Sequence, residues 1–138
     1  MTPEHARIAD SFARQTFMAT LRADLLEVAP GRVRIAAPLL AECAQQHGAG
    51  HAGVTFALGD SAAGYAALSV MPEGREVMTV EMKINLLAPA TGRRLVATGE
   101  VLRSGRRLVV VRASVVAERD GGPVTVAEML GTMIPVDA

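Results

Sequence analysis

The sequence predicts an α+β fold in which a curved antiparallel sheet wraps around a long central helix. Two observations lead to this prediction. A run from residue 52 to residue 70 is rich in Ala and Gly, carries only one formal charge and has the length of a buried helix. Strand-like segments lie before and after this run, separated by turns that contain Pro and Gly. One helix on one face of an antiparallel sheet is an α+β architecture, and small helix residues let a curved sheet approach closely.

The segment before the central helix is predicted to form one helix, one hairpin and a loop. A threonine N-cap followed by a proline at the first helical position predicts a helix over residues 2–18. Strand patterns follow at 21–28 and 32–37, joined by a turn at Pro30-Gly31. Residues 38–50 show no periodicity and are expected to form a loop that leads into the central helix.

The segment after the central helix is predicted to form a meander of four antiparallel strands. These strands are expected at residues 77–86, 95–103, 107–119 and 124–136. The first of them alternates with a period of two, which predicts one buried face and one polar face. The buried face is assigned Met78, Val80, Met82, Ile84 and Leu86, and the polar face is assigned Thr79, Glu81, Lys83 and Asn85.

Composition limits the kind of protein and its partners. A chain of 138 residues fits a single domain, predicted to span residues 1–138. Its 14 basic and 14 acidic side chains balance, so neither nucleic acid nor a membrane is an expected partner. Cys43 is the only cysteine, which excludes an intrachain disulfide and favours a reducing compartment, the cytoplasm. The His, Cys and acidic residues lack metal-ligand spacing, so no metal and no cofactor are expected.

Asp60 is the strongest candidate for a functional residue. It is the one formal charge between His51 and Val70, in the middle of the predicted buried helix. An unpaired carboxylate is costly to bury, and a core position without a function would normally hold an apolar residue. Apolar surroundings raise the pKa of a carboxyl group, which suits proton transfer or attack on an electrophile. The pattern therefore favours an acid with a chemical role.

The residues around Asp60 resemble a known family motif. His51-Ala52-Gly53, followed by residues 57–62 with Leu58, Asp60 and Ala62, resembles the H-G-G…L-x-D-x-A pattern of hotdog-fold acyl-CoA thioesterases of the phenylacetate-degradation (PaaI-like) type. Residues 79–85 and Pro89 resemble the family's next strand. The similarity covers most of the chain, from about residue 21 to residue 135, and implies the hotdog fold.

The resemblance implies hydrolysis of acyl-CoA thioesters. Asp60 would be the catalytic carboxylate, acting as general base on a water molecule or as nucleophile. The backbone N–H of Ala52 at the start of the helix would polarise the thioester carbonyl, and Gly53 beside it would also be a catalytic residue. Thr79 stands where relatives place a Ser or Thr that orients the water or the acid. Gln45 stands where many relatives have an Asn that holds the water.

The resemblance also implies how substrate and subunits meet. The active site would lie between two subunits of a homodimer or a dimer of dimers, with CoA as part of the substrate and no separate cofactor. Residues expected to contact the substrate are His47, His51, Asn85, Leu86, Pro89 and the hairpin Arg103, Ser104, Gly105, Arg106 and Arg107, whose cations suit CoA phosphates. His51 is also expected to cap the helix. The alternatives are an acyl-CoA-binding protein without catalysis and, ranked lower, an enoyl-CoA hydratase or dehydratase.

Overall fold

The computed structural model describes residues 2–138, so Met1, the first residue of the predicted domain, lies outside the described residues. Three helices and six strands follow one another along the chain. They are α1 (Pro3–Arg14), α2 (Thr16–Thr20), β1 (Asp24–Ala29), β2 (Arg32–Pro38), α3 (Ala52–Leu68), β3 (Arg75–Leu86), β4 (Arg94–Ser104), β5 (Val109–Glu118) and β6 (Val124–Asp137), with a single 3-10 turn at Ala41–Cys43. Among residues 2–138, no helix has both the length and the apolar character needed to cross a bilayer.

The predicted N-terminal helix is interrupted at Gln15. Thr2 caps its first turn as expected, since its hydroxyl accepts a hydrogen bond from the His5 N–H at 3.1 Å. Gln15 then adopts an extended conformation between α1 and α2. Its side-chain amide donates to the Tyr65 hydroxyl at 3.0 Å, and its carbonyl oxygen accepts from Ser61 at 3.3 Å. The break therefore ties the N-terminal helices to α3, an interaction that local periodicity does not contain.

The six strands form one antiparallel sheet in the order β1-β2-β4-β5-β6-β3. The predicted meander of four consecutive neighbours is wrong, because β3 pairs with β6 and β4 pairs with β2. Only β4, β5 and β6 form a meander. The chain therefore crosses from the edge strand β3 into the middle of the sheet. Periodicity identifies strands, but strand partners depend on long-range packing.

A β-bulge interrupts β3 at Val80. Thr79 pairs with Met133 and Glu81 pairs with Thr132, so Val80 has no opposite residue in β6. Such an extra residue reverses the faces of the strand from that point onward. The side chains before the bulge therefore point to the faces opposite to those that strict alternation along β3 predicts.

The predicted faces of β3 are wrong before the bulge and correct after it only as far as Ile84. Thr79 points toward α3, although it was assigned to the polar face. Met78 and Val80 were assigned to the buried face but are 58% and 55% exposed. Beyond the bulge, Met82 and Ile84 pack against the core as expected. Leu86, assigned to the same buried face, is 56% exposed because β3 ends there beyond the core. The bulge therefore turns a polar residue toward the central helix.

The core lies between α3 and the concave face of the sheet. Ala62, Ala63, Ala66 and Ala67 of α3 are fully buried, in keeping with the close approach predicted from small residues. The tightest point is at Gly99 in β4, where an added Cβ would overlap the backbone of Ala62. A glycine at this position allows the strand to touch the helix, and this contact fixes the depth at which α3 sits in the sheet.

Gly99→Ala is expected to destabilise the protein by about 1–3 kcal/mol, because the helix backbone must move to admit the methyl group. The free energy of unfolding from urea titration measures this effect. Gly121→Ala is the matched control, since an added Cβ at that turn has no atom within 4 Å. Equal stability of the two variants would contradict the tight contact between β4 and α3.

Candidate active site

Asp60 lies in the middle of α3 and is half-buried between the helix and β3. The Thr79 hydroxyl donates a hydrogen bond to Asp60 Oδ1 at 2.8 Å. Burial raises the pKa of the Asp60 carboxyl above its usual value, and the hydrogen bond from Thr79 opposes part of that rise in pKa. The β3 bulge is what turns Thr79 toward this carboxylate. The result is an oriented acid whose pKa lies closer to neutrality, as suits a general base.

Thr79→Val is expected to raise the pKa of Asp60 further, because it removes the hydrogen bond that favours the ionised form. If deprotonated Asp60 is required for turnover, activity falls as pH falls through this pKa. The acid limb of the kcat/KM profile should therefore move to higher pH in Thr79→Val. Thr79→Ser retains the hydroxyl and should leave the limb near its wild-type position. An unchanged limb in the valine variant would contradict this role of Thr79.

The start of α3 presents one free backbone donor. His51 is the N-cap, and its Nδ1 accepts from the Gly53 N–H at 2.8 Å. The His51 carbonyl accepts from the Val54 N–H at 2.9 Å. Within residues 2–138, no acceptor satisfies the N–H of Ala52. Because the N–H groups at a helix start carry partial positive charge, Ala52 can donate to a carbonyl oxygen that gains negative charge.

The first two backbone amides of α3 differ in their hydrogen bonding. The Gly53 N–H is engaged by the His51 ring in this structure. Ala52 alone of the pair has its N–H unengaged. His51 therefore acts through the geometry of the helix start, the capping role that the sequence also indicated.

Gln45 shapes the loop before α3. Its Oε1 accepts from the backbone N–H of His47 at 2.6 Å and of Ala49 at 3.2 Å. The side-chain oxygen is therefore committed to the turn, and the amide nitrogen Nε2 is left as the group that can donate to a ligand. His47 is exposed on this turn. Gln45, unlike His47, also lines the cavity beside α3.

A cavity of about 440 Å³ lies beside the free amide of Ala52. We call it the strand-end groove, because the end of β3 and the following loop form one wall. It brings together four of the predicted residues: Gln45, Ala52, Leu86 and Pro89. The Gly50 N–H donates to the Ala90 carbonyl at 2.8 Å and joins the two walls.

Arg119 supports this groove and was not predicted. Its guanidinium donates to the carbonyl of Thr91 at 2.8 Å and also to the carbonyl of Pro89. These bonds hold the loop that carries Pro89 in the groove wall. Sequence offered no signal for this residue, because it is one arginine among many beside a turn.

Asp60 and the free amide of Ala52 are well separated within a single chain. They lie eight positions apart on one helix, which is about 12 Å along its axis at 1.5 Å per residue. A reacting carbonyl needs both groups within hydrogen-bonding reach, directly or through one water molecule. One chain therefore carries two separated half-sites, the acid with Thr79 and the donor with its groove.

The remaining predicted contacts lie away from the strand-end groove. Asn85 pairs with Glu128 and borders a depression on the face of the sheet that points away from α3. The hairpin Arg103–Arg107 lies at the opposite end of β4 from the groove. Ser104 pairs with Val109, Val109 pairs with Met133, and Met133 pairs with Thr79. Ser104 and Thr79 are therefore three strand spacings apart, about 14 Å. The hairpin therefore lies on the side of the acid half-site.

Among residues 2–138, no three His, Cys, Asp or Glu side chains gather as they would around a metal ion.

A curved antiparallel sheet around one central helix is the hotdog fold. A family model described as "Thioesterase superfamily" matches residues 47–124, more than half of the chain. The chain therefore belongs to the thioesterase superfamily.

Solved structures agree with this assignment. A thioesterase family protein from Silicibacter pomeroyi is 43% identical, with a TM-score of 0.95 over 98% of this chain and 99% of that one. The conserved protein PA5202 from Pseudomonas aeruginosa is 27% identical, with a TM-score of 0.82 over 93% and 99%. The PaaI protein from the phenylacetic acid degradation operon of Escherichia coli is 22% identical, with a TM-score of 0.86 over 98% and 95%, and shows the fold alone. The comparison with curated proteins finds no match.

Proposed function

We propose that this protein hydrolyses acyl-CoA thioesters to a free acid and CoA. The main support for the proposal is the half-buried carboxylate of Asp60. Burial raises its pKa, and the hydrogen bond from Thr79 orients it. The unengaged N–H of Ala52 supplies the second element that thioester hydrolysis needs, a donor for the oxygen that becomes negative. Membership of the thioesterase superfamily supports the same chemistry.

In the proposed mechanism Asp60 acts as a general base. The thioester carbonyl accepts a hydrogen bond from the Ala52 N–H, and Asp60 removes a proton from a water molecule while the water oxygen attacks the carbonyl carbon. The tetrahedral intermediate places its negative oxygen at the positive end of α3. Its collapse breaks the carbon–sulfur bond, and the proton held by Asp60 passes to the departing thiolate. Thr79 keeps the carboxylate in position throughout.

We further propose that two copies of the chain complete each site. The separation of the half-sites on α3 supports this arrangement, since Asp60 of one copy can meet Ala52 of another. The edge strand β3 is 12 residues long and exposes its backbone groups and the apolar side chains of Met78 and Val80. An uncovered apolar edge of this length favours pairing with a second sheet. The strand-end groove beside Ala52 is proposed to take the CoA arm of the substrate.

The test is thiol release from a panel of short, medium, long and aromatic acyl-CoA thioesters, with a chromogenic disulfide as the thiol trap. Because Cys43 can react with the trap, the protein without substrate provides the baseline. Turnover of at least one thioester is expected. Tight binding without thiol release would instead identify an acyl-CoA-binding protein, and addition of water to a 2-enoyl thioester would identify a hydratase.

The free thiol of Cys43 supports the cytoplasm as the place of action.

A further inference from the structure

A second cavity lies on the other side of the start of α3. It measures about 330 Å³, is open to solvent, and is bordered by α2, the 3-10 turn and the first turn of α3. We call it the α2 cavity. Its lining residues include Phe17, Glu42, Cys43, His51, Gly53 and Val54.

The two cavities flank the same backbone amide. Ala52 and Thr55 border the strand-end groove, whereas His51, Gly53 and Val54 border the α2 cavity. Ala52 thus stands between them. A carbonyl that accepts a hydrogen bond from the Ala52 N–H therefore has one cavity on each side of that residue for its two substituents.

The chemistry of the walls distinguishes the two cavities. The strand-end groove offers the Gln45 amide and the backbone of the loop after β3, which suit the amide groups of the CoA arm. The α2 cavity is mainly apolar, with Val54 nearly buried in its wall and Phe17 52% exposed at its edge. An aromatic ring that is half exposed beside an apolar cavity is well placed to cover an apolar ligand.

We propose that the α2 cavity binds the acyl group of the thioester substrate and that Phe17 covers it. This inference rests on the proposed function, because it assigns the two ends of that substrate to two cavities. A volume of about 330 Å³ is at the lower end of the range for ligand pockets, so it suits an acyl group of limited size. Glu42 at the cavity wall disfavours acyl groups that end in a carboxylate.

Cys43 gives a direct test, because it lines the α2 cavity and is the only cysteine in the chain. The experiment measures the rate at which iodoacetamide modifies Cys43 in the presence of one of two saturating compounds. One is S-hexyl-CoA, a thioether that cannot be hydrolysed, and the other is desulfo-CoA. S-hexyl-CoA is expected to slow modification at least about tenfold, while desulfo-CoA changes it little. Calorimetry on the same samples verifies that each compound binds.

The outcomes separate this inference from the proposed function. If S-hexyl-CoA binds but protects Cys43 no better than desulfo-CoA, the acyl group lies elsewhere and the inference is overturned, while thioester hydrolysis remains supported. If S-hexyl-CoA does not bind and the thioester panel shows no turnover, the inference and the proposed function both fail.

Phe17→Ala provides the second test. It is expected to lower kcat/KM for hexanoyl-CoA about tenfold and to lower kcat/KM for acetyl-CoA by a much smaller factor, because only the longer chain reaches the ring. Leu108→Ala is the matched control, since Leu108 is 54% exposed and belongs to neither cavity. Equal losses on both substrates, or no loss on either, would contradict a role for Phe17 in acyl binding.

Discussion

Asp60→Asn is expected to lower kcat for thioester hydrolysis by about 10²–10⁴-fold, the contribution of a positioned general base. The change keeps the shape of the side chain and an oxygen that accepts the Thr79 hydrogen bond, but it removes the group that takes the proton. Thiol release from the best substrate of the panel measures the loss. Melting temperature and circular dichroism are recorded on the same samples.

The fold should survive this substitution. Because burial raises the pKa of Asp60, the ionised carboxylate opposes folding at neutral pH, and this penalty grows as pH rises above the usual pKa of an aspartate. Asn removes that penalty, so the melting temperature at pH 7 should not fall. Asp120→Asn is the matched control at an exposed turn, where the carboxylate pairs with Arg93. Wild-type turnover in Asp60→Asn would exclude Asp60 as the base.

Ala52→Pro is expected to lower kcat by about 10²–10³-fold, the usual consequence of removing one oxyanion donor. Proline has no N–H, and Ala52 is the first residue of α3, the helical position where proline fits best. His51 already has an extended conformation, with ψ at 139°, as the residue before a proline requires. The substitution therefore deletes the donor while leaving the helix in place. Thiol release again measures the effect.

Ala52→Gly is the control for this prediction, because it retains the N–H and changes only the methyl group. It should hydrolyse thioesters at close to the wild-type rate. If Ala52→Pro is as active as Ala52→Gly, the amide does not stabilise the transition state. Gln45 Nε2 would then be the donor to test, because the side-chain oxygen of Gln45 is already engaged in the turn.

Local pattern was sufficient to predict most of the elements and the position of the central acid on its helix. One charge in an Ala- and Gly-rich run placed Asp60 on α3, and the observed helix starts at the predicted residue. The strands after α3 begin and end within two residues of their predicted limits. These features depend on residues close in sequence. The family was also predicted, because the spacing between His51 and Asp60 is a local motif.

Features that depend on distant residues were not predictable from pattern. The Val80 bulge arises where β3 pairs with β6, and alternation along β3 alone cannot reveal it. For the same reason Thr79 was assigned to the wrong face even though its role beside Asp60 was proposed. The engagement of the Gly53 N–H by His51 depends on a side-chain rotamer. Arg119 reaches the loop at Pro89 only because the fold brings two turns together.

Mixed dimers show whether Asp60 of one copy and Ala52 of another form one active site. Asp60→Asn and Ala52→Pro are co-expressed with different tags, and the doubly tagged species is purified. Each parent should be nearly inactive, but a mixed dimer would pair the intact acid of one chain with the intact amide of the other.

If each site is shared between copies, the unfractionated equal mixture should recover about a quarter of wild-type turnover, because half of the dimers are mixed and half of their sites are intact. The purified mixed dimer should then recover about half. A mixed dimer with no more activity than its two parents would contradict an active site shared between copies.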